Sequence, residues 1–433
     1  MATQTKLDQE YIAELSRRRS EPAWMTERRL AAWERFEQLP VPQYERTRLK
    51  ESHFENFVPY VDTAPVAAWE ELPEELRVLV GDPAGRIIVV LRNSAVVYRQ
   101  LGDDVPEGVI VTGLAAATKE HPELVEKYFM NRPFPGGDNK IVALNAALHA
   151  DGLFVYVPAG VRLKKPVEYF VWIDEPQLAV FDHNIVVAEA DSRVNVVETA
   201  ASPAALTRAY RFGVLELFTG EGARAVMSNV QALSEGVQNL VVRRTVPEPR
   251  SHTDWISAEF GGSLSVNEID SRLNGQGCEV RGLGVFFASG QQHLDLEMRM
   301  IQEARETSSD ILVRGVVKDE GRAVYGPYTL LKSGAVDSAG FQRGNTLVLD
   351  PTARAYSIPQ LHVEEENVQG AGHAATVGKV IEEHLFYLRS RGLREAEAKR
   401  LIVDGFLNTV LEHIPMQTVR DYVVNLIERK MSA

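Results

Sequence analysis

The stretches 193-RVNVVET-199, 211-RFGVLELF-218 and 239-NLVVRRTV-246 belong to a long series in which apolar and polar side chains alternate. A period of two places successive side chains on opposite faces of an extended chain, so each stretch predicts a β-strand. Similar stretches, among them 184-NIVVAEA-190, 224-RAVMSNVQAL-233 and 344-GNTLVLD-350, extend the pattern across residues 166–378. Little helical periodicity interrupts them, so this region is predicted to be all-β.

Turn-forming clusters separate these strands at quasi-regular intervals. In the later part of the region successive gaps measure 12 to 17 residues, between clusters near Gly262, Gln276, Gln291, Ser308, Glu320, Ser333, Asp350 and Asn367. This spacing suits a parallel β-helix, or else a large sandwich or jelly roll. Antiparallel hairpins favour Asn-Gly and Asp-Gly turns, and Asn274-Gly275 is the one such dipeptide in the region. Their scarcity favours the β-helix, which we place at residues 151–378.

Both flanks of this region are predicted to be mainly helical. Residues 1–150 contain a helical apolar stripe from Trp24 to Phe36 and one clear strand, Arg86–Tyr98. Residues 379–433 carry three further helical stripes, and Gly392 is a suitable C-terminal residue for the first of them. Two roles remain open for this tail: a cap on the end of the β-stack, or a surface that docks a partner.

Composition excludes several classes of protein. The chain has 433 residues, one cysteine and a net charge of −13, so it cannot form an internal disulfide or a zinc or iron–sulfur site from its own thiolates alone. Its pI of about 5.4 argues against a general nucleic-acid binder. The longest clean apolar runs, such as Ile87–Leu91, are too short to span a membrane, and the charged N-terminus does not fit a signal peptide. We therefore expect a cytoplasmic protein with no membrane partner.

Sequence motifs of common enzymes are missing. The chain has no G-x-x-x-x-G-K-[ST] loop, no helix-opening G-x-G-x-x-G, no H-E-x-x-H and no G-x-S-x-G. An intrinsic ATPase or a dinucleotide-binding enzyme is therefore not expected. The alternative that stays open is a carbohydrate-active enzyme on a β-helix, which would need opposed carboxylates or a metal in a groove.

One residue, His373, is a candidate for metal chemistry. His373 lies in 367-NVQGAGHAATVG-378, where strands give way to helices and small neighbours leave its ring approachable. One imidazole can supply a single ligand, so other ligands would have to come from carboxylates or from a second chain. Cys278 lies in a predicted strand, where a lone cysteine is most often a small buried apolar residue.

Several motifs resemble the SufB/SufD family of iron–sulfur cluster assembly proteins. The strongest is 372-GHAATVGKVIEEHLFYLRSRGLREAEAKRLIVDGF-406, and the resemblance extends to 140-KIVALNAALHADGLFVYVPAGVRLKK-165, 251-SHTDW-255 and the early 21-EPAW-24. It covers nearly the whole chain. The resemblance implies a right-handed β-helix between helical N- and C-terminal domains, and a non-enzymatic scaffold on which clusters are built.

The family resemblance also implies partners. It predicts pairing with a SufB-type paralogue through the β-helix ends, docking of a SufC-type ATPase on the C-terminal helices, and a transient iron–sulfur cluster shared with the paralogue. Reduced flavin in the complex and a homodimer of the isolated chain are further expectations. The residues predicted to dock the ATPase are Arg391, Gly392, Ala398, Leu401, Ile402, Gly405, Phe406 and Val410.

Departures from the family pattern favour the SufD type. SufB-type chains carry a scaffold cysteine after a glutamine, whereas Gln342 is followed here by Arg343. SufB-type chains also read His-Glu-Ala, where this chain has His373-Ala374-Ala375. The resemblance thus implies that His373 is the family's functional histidine and that this chain lends it to a cluster whose thiolates come from the partner. The segment 377-VGKVIEEHLFYL-388, in contrast, is closer to the SufB type.

Overall fold

Alternating Val, Ile and Phe side chains form the strands that their period predicts. The computed structural model describes residues 6–131, 139–414 and 416–432. The strands of this part of the chain are β1 (Ile87–Arg92), β2 (Ala95–Gln100), β3 (Ile110–Gly113), β4 (Leu153–Val157), β5 (Val167–Trp172), β6 (Ala179–Val180), β7 (His183–Ala188), β8 (Arg193–Ala201), β9 (Ala209–Thr219), β10 (Arg224–Ala232), β11 (Val237–Thr245), β12 (His252–Glu259), β13 (Leu264–Leu273), β14 (Glu279–Ala288), β15 (His293–Gln302), β16 (Ser308–Val317), β17 (Arg322–Leu331), β18 (Ala339–Val348), β19 (Arg354–Ser357), β20 (Gln360–Val363) and β21 (Gly370–Lys379).

These strands form two sheets between which the chain alternates. Sheet one has the order β2-β1-β5-β8-β10-β12-β14-β16-β18-β21. Sheet two has the order β19-β17-β15-β13-β11-β9-β7-β4-β3, with β6 beside β9 and β20 beside β17. The pairs β1–β2 and β3–β4 are antiparallel, and β8, β10, β12, β14, β16, β18 and β21 pair in parallel along sheet one. The chain therefore winds as a β-helix.

The rungs of this β-helix explain the spacing of the turns. Arg224 pairs with Arg193 of the preceding rung and with His252 of the following one, 31 and 28 residues away. Each rung contains one strand of each sheet, so the gaps of 12 to 17 residues are half-rungs. Asn274-Gly275 lies between β13 of sheet two and β14 of sheet one, so it connects the two sheets and is not in a hairpin. The predicted mainly β fold, a β-helix with helices at both ends of the chain, is confirmed.

The N-terminal part packs helices against the first rungs. Its helices are α1 (Gln9–Arg18), α2 (Ala23–Gln38), α3 (Glu74–Val80), α4 (Leu114–Glu120), α5 (Pro122–Tyr128) and α6 (Lys140–Leu148), with 3₁₀ turns at Glu51–Phe54 and Trp69–Glu71. Helix α6 packs against α2, β9 and β11. Strands β1 to β3 also lie in this part and extend both sheets. The division at residue 150 stays a prediction.

Residues 41–50 form a covering segment over the outer face of sheet two. Tyr44 Oη donates to Glu268 Oε2 at 3.0 Å, and Thr47 Oγ1 lies 2.7 Å from His293 Nε2. Acidic side chains are buried beside these contacts. Burial raises the pKa of Asp295 to about 6, and burial together with the neighbouring carboxylate of Glu268 raises the pKa of Asp270 to about 7.

Four charged side chains inside the early rungs form what we call the buried ion ladder: Asp182, Arg211, Glu198 and Arg243. Arg211 donates to both carboxylate oxygens of Asp182, at 2.9 and 2.7 Å, and to Glu198 Oε1 at 2.9 Å. Arg243 donates to the same Glu198 oxygen at 2.7 Å. Burial alone would raise the pKa of Glu198, but the two guanidinium groups hold it at about 2. The charges are thus matched within the chain.

The C-terminal helices lie along the side of sheet one. They are α7 (Glu382–Ser390), α8 (Glu395–Leu411) and α9 (Gln417–Ser432). Val403 and Leu407 of α8 share an apolar cluster with Ile256 and Phe287 of the outer sheet face. At the end of α9, Lys430 Nζ donates to Ser289 Oγ at 2.8 Å. Helices α8 and α9 therefore do not cap the last rung, because their apolar stripes are used against the flank of the sheet.

Candidate functional site

The last rung of the β-helix is the most open part of the strand region. Strand β21 ends sheet one, pairs with β18 on one side, and is exposed from His373 to Lys379. Strands β19 and β20 end sheet two in the same way. An edge strand offers unpaired backbone N–H and C=O groups to another chain. This end is therefore suited to contact with a partner.

His373 lies in the middle of this exposed strand. Its register partner on β18 is Gln342, which is buried and donates from Nε2 to Thr329 Oγ1 at 2.7 Å and to Gln360 O at 3.0 Å. Register partners in a parallel ladder point to the same face, so His373 continues an inward-facing column of side chains. No further rung covers the column, which leaves the imidazole exposed at the end of the β-helix.

Arg343 occupies the position where the resemblance places the scaffold cysteine of SufB-type chains. Its Nη2 atom donates to both oxygens of Asp310, at 2.9 and 2.6 Å. Since successive residues of a strand point to opposite faces, Arg343 belongs to the outer face and Gln342 to the inner one. Asp310, Phe341, Arg343, Gly372 and His373 line one shallow cleft at this end of the molecule.

Two side chains that line this cleft could ligate a metal: the imidazole of His373 and the carboxylate of Asp310, which is held by Arg343. Among residues 6–131, 139–414 and 416–432, no three His, Cys, Asp or Glu side chains are grouped so that they could hold a metal ion. Cys278 is buried, and burial raises the pKa of its thiol to about 12, which keeps it protonated. The described residues of the cleft thus do not supply a complete ligand set for a metal ion.

The other two histidines compared with His373 lie elsewhere. His362, on β20, packs its ring against Tyr328, with 5.3 Å between the ring centroids. His384 is exposed on α7. The structure does not place either of them among the residues that line the His373 cleft.

The residues predicted to dock an ATPase divide into two groups. Ala398 and Val410 are fully buried, and Phe406 is half-buried beneath Arg314, whose guanidinium carbon lies 5.3 Å from the ring centroid. Leu401 is 52% exposed, and the other members of the surface group are Arg391, Gly392, Gly405 and the half-buried Ile402. The buried members support helix α8, so direct contacts are left to the exposed ones.

Sequence reasoning missed the most exposed apolar residues of this region. Phe386 is 75% exposed and Tyr387 is 55% exposed on α7, and Ile381 is exposed just before it. They belong to an apolar stripe together with the buried Leu385, so periodicity alone did not separate the outward from the inward members. The Arg391 guanidinium carbon lies 5.3 Å from the centroid of the Tyr387 ring.

Comparison with known proteins agrees with this arrangement. The family model described as "SUF system FeS cluster assembly, SufBD core domain" matches residues 171–406, and "SufBD protein N-terminal region" matches residues 5–169. The chain is 32% identical to the iron-sulfur cluster assembly protein SufD of Bacillus subtilis, over 100% of this chain and 99% of the relative. It is 29% identical to the protein SufB of the same organism, over 95% and 90% of the two chains.

A further relative has the same coverage. The iron-sulfur cluster assembly SufBD family protein of Staphylococcus epidermidis is 30% identical over 95% of this chain and 90% of its own length. Within the part of the chain that the structure describes, no helix has the length and apolar character needed to cross a membrane. Two family models that together match residues 5–169 and 171–406, and relatives aligned over nearly their whole length, show that this chain belongs to the SufBD family of iron–sulfur cluster assembly proteins.

Proposed function

We propose that this chain is the SufD-type scaffold subunit of a SufBCD-type complex, in which it pairs with a SufB-type paralogue and docks a SufC-type ATPase. The observation that carries the proposal is the uncovered last rung, where His373 ends an inward-facing column of side chains. The chain itself is not an enzyme in this proposal, and ATP hydrolysis is supplied by the ATPase.

The role of His373 follows from what one imidazole can do. The iron–sulfur cluster is the cargo of the complex, and thiolates suit its iron atoms best. This chain's one thiol is buried and protonated, so the thiolates come from the paralogue and His373 contributes one nitrogen ligand across the interface. The cluster is therefore transient and shared between two chains.

Pairing through the last rung is supported by the edge of β21. Its unpaired backbone groups can hydrogen-bond to the edge of a second β-helix, and the two stacks then continue through the interface. Two copies of this chain offer the same edge to each other, so a homodimer is the expected state when the paralogue is absent. The SufD type is supported by 32% identity to a SufD against 29% to a SufB.

Docking of the ATPase is assigned to the exposed part of α7 and α8. Phe386, Tyr387 and Leu401 are large apolar side chains that the β-helix does not cover. Exposed apolar patches of this kind mark partner sites, and Arg391 beside Tyr387 adds a charge that can pair with a carboxylate. Reduced flavin is proposed as an electron source of the complex, with no residue of this chain assigned to it. The proposed compartment is the cytoplasm.

Coexpression with a SufB-type chain and a SufC-type ATPase tests this proposal. The three chains should co-purify, and anaerobic reconstitution with iron and sulfide should give the absorption spectrum of an iron–sulfur cluster. Phe386→Asp combined with Leu401→Asp should remove the ATPase from the complex while the paralogue stays bound. Val78→Asp is the matched control, because Val78 is 77% exposed on α3, outside the proposed docking surface. Loss of the ATPase with the control variant, or its retention with the double variant, would contradict the docking surface.

A further inference from the structure

A pocket in the N-terminal part of the chain, lined by residues between Lys6 and Lys140, lies outside the cleft at His373. Its volume is about 420 Å³, within the range of about 300–1,000 Å³ that ligand sites occupy. Four aromatic rings line it: Trp33 and Phe36 of α2, Phe54 of a 3₁₀ turn, and Phe57. Such a wall provides flat apolar surface, with the geometry that aromatic rings prefer when they pack against one another.

The aromatic wall is held rigidly. The Phe36 ring centroid lies 5.1 Å from that of Trp33 and 6.4 Å from that of Phe54. Phe57 packs against Phe181 of the β-helix, with 5.6 Å between the centroids. Because the rings are fixed by their neighbours, the pocket exists before any ligand arrives, which lowers the entropy cost of binding.

One wall of the pocket contains a nearly buried cation. Lys140 is 5% exposed, and its Nζ donates to Phe36 O and Leu39 O, both at 3.0 Å. An ammonium has three N–H donors, so after these two hydrogen bonds the third is shared between the Phe36 ring, whose centroid lies 4.4 Å from Nζ, and any further acceptor. Among the described residues, the carboxylate paired with it is Glu51, 3.7 Å away and 62% exposed in its side chain. A buried charge with so weak a counter-ion favours an additional anion.

We propose that this pocket binds a small aromatic anion, whose ring packs among the four aromatic side chains and whose carboxylate or phosphate accepts a hydrogen bond from Lys140. Glu51 is the internal competitor for the ammonium. Ligand binding displaces Glu51 into solvent, where its exposed side chain is readily hydrated.

Two isosteric probes test the proposal on the full-length chain by isothermal titration calorimetry. 2-Naphthoate carries the carboxylate, and 2-naphthamide presents the same ring system without the charge. We expect saturable one-site binding of naphthoate and at least about tenfold weaker binding of naphthamide, because a charge-assisted hydrogen bond is about twice as strong as a neutral one. Absence of saturable naphthoate binding, or equal affinity for the two probes, would overturn the proposal.

Variants of two exposed glutamates locate the site. Glu51→Gln removes the competing carboxylate and should strengthen naphthoate binding about threefold, the scale of a weak ion pair, while naphthamide binding is unchanged. Glu55→Gln is the matched control, because Glu55 lines the same pocket and is exposed. Equal effects of the two substitutions would contradict the assignment of the anion to Lys140.

Lys140→Met provides a second arm. It should weaken naphthoate binding at least tenfold and leave naphthamide binding within about twofold, since Met keeps the apolar stem but not the charge. Circular dichroism reports whether the variant folds. If it does not, the difference between Glu51→Gln and Glu55→Gln alone decides the proposal.

Discussion

The two ends of the β-helix differ in whether their edge strands are covered. At the first rungs, the antiparallel partners β2 and β3 and the N-terminal helices cover the sheet edges, and the interior charges of Asp182, Arg211, Glu198 and Arg243 are paired within the chain. At the last rung, β21 is exposed, and His373 is exposed at the end of its inward-facing column because no covering strand follows. The covered end pairs its edges and charges within the chain, whereas the open end leaves an edge strand exposed, which we propose is covered by a partner.

We infer from this difference that the first rungs mainly determine stability and the last rung mainly determines assembly. A charge buried in the early rungs must be matched by its neighbours, because no water or partner reaches it. A polar group on the last rung is exposed to water in this chain, and in the proposed complex it would become buried. Substitutions at the first end should therefore change folding, and substitutions at the last end should change assembly.

The largest effect is expected from Arg211→Met, in the buried ion ladder. Removing this guanidinium leaves the carboxylates of Asp182 and Glu198 without their shared partner, so the free energy of unfolding should fall by about 3–5 kcal/mol. Urea unfolding followed by circular dichroism measures it. Arg250→Met is the matched control, because the ion pair of Arg250 with Glu221 is exposed and should contribute less than about 1 kcal/mol. Equal losses of unfolding free energy in the two variants would contradict the distinction between buried and exposed ion pairs.

A second prediction concerns pairing at the open end. Ala375 lies two residues after His373 on β21 and is exposed. Ala375→Arg places a charge where the paralogue should be seated, so the affinity between the two chains should fall by about a hundredfold or more while the isolated chain keeps its stability. Biolayer interferometry with the SufB-type chain measures the affinity. Ala84→Arg, at an exposed loop near the first rungs, should leave pairing unchanged.

A third prediction concerns pH and the acidic groups under the covering segment. Burial raises the pKa of Asp295 to about 6, so the folded chain holds a proton there that the unfolded chain has lost above pH about 4. The free energy of unfolding should therefore fall as pH rises from about 4 to 7. Asp295→Asn should remove about 2 kcal/mol of this fall, as judged from the size of the pKa shift. Urea titrations at pH 5 and pH 7.5 measure the difference.

Asp254, on the outer face of sheet one, has a pKa shift in the opposite direction, so its effect on the pH dependence of stability is also opposite. Burial alone would raise its pKa, but hydrogen bonds from Arg281 and His252 lower it to about 2. Its contribution to stability is present above pH about 4 and is lost as pH falls through 2. Asp254→Asn should therefore destabilise the chain at pH 7.5 and much less near pH 2. The two substitutions should change the pH dependence of the free energy of unfolding in opposite directions. A change in the same direction for Asp254→Asn and Asp295→Asn would contradict this account of the two sites.

The strands and their parallel stacking could be predicted from the sequence because both depend on local pattern. Stretches such as 224-RAVMSNVQAL-233 alternate, and the gaps between turns follow from half-rungs. The buried ion ladder could not be predicted in this way, since Arg211 and Arg243 lie in strands where period two does not tell which charged residue points inward. Arg211 lies 29 residues from its partner Asp182, and Arg243 lies 45 residues from its partner Glu198.

The candidate site was predicted in part. His373 was selected by its motif, and the structure adds that it is exposed on an edge strand. The packing of the C-terminal helices could not be predicted from the sequence. The same apolar stripe would be buried whether the helix packed on the last rung as a cap or along the side of a sheet. Only the structure shows that Val410 is buried and Phe386 is not. The roles of the last rung and of the exposed C-terminal helix surface in cluster assembly stay predictions.

The most direct test of the central claim is cluster formation with and without the imidazole at the open end. The complex of this chain with a SufB-type chain and a SufC-type ATPase should be reconstituted anaerobically with iron and sulfide, and cluster content measured by absorption spectroscopy and iron analysis. We predict that His373→Ala leaves the complex intact but lowers cluster content about tenfold, the scale of one lost metal contact, whereas His362→Ala has little effect. A full complement of clusters with His373→Ala would show that the open end contributes no ligand and that the chain is a platform only.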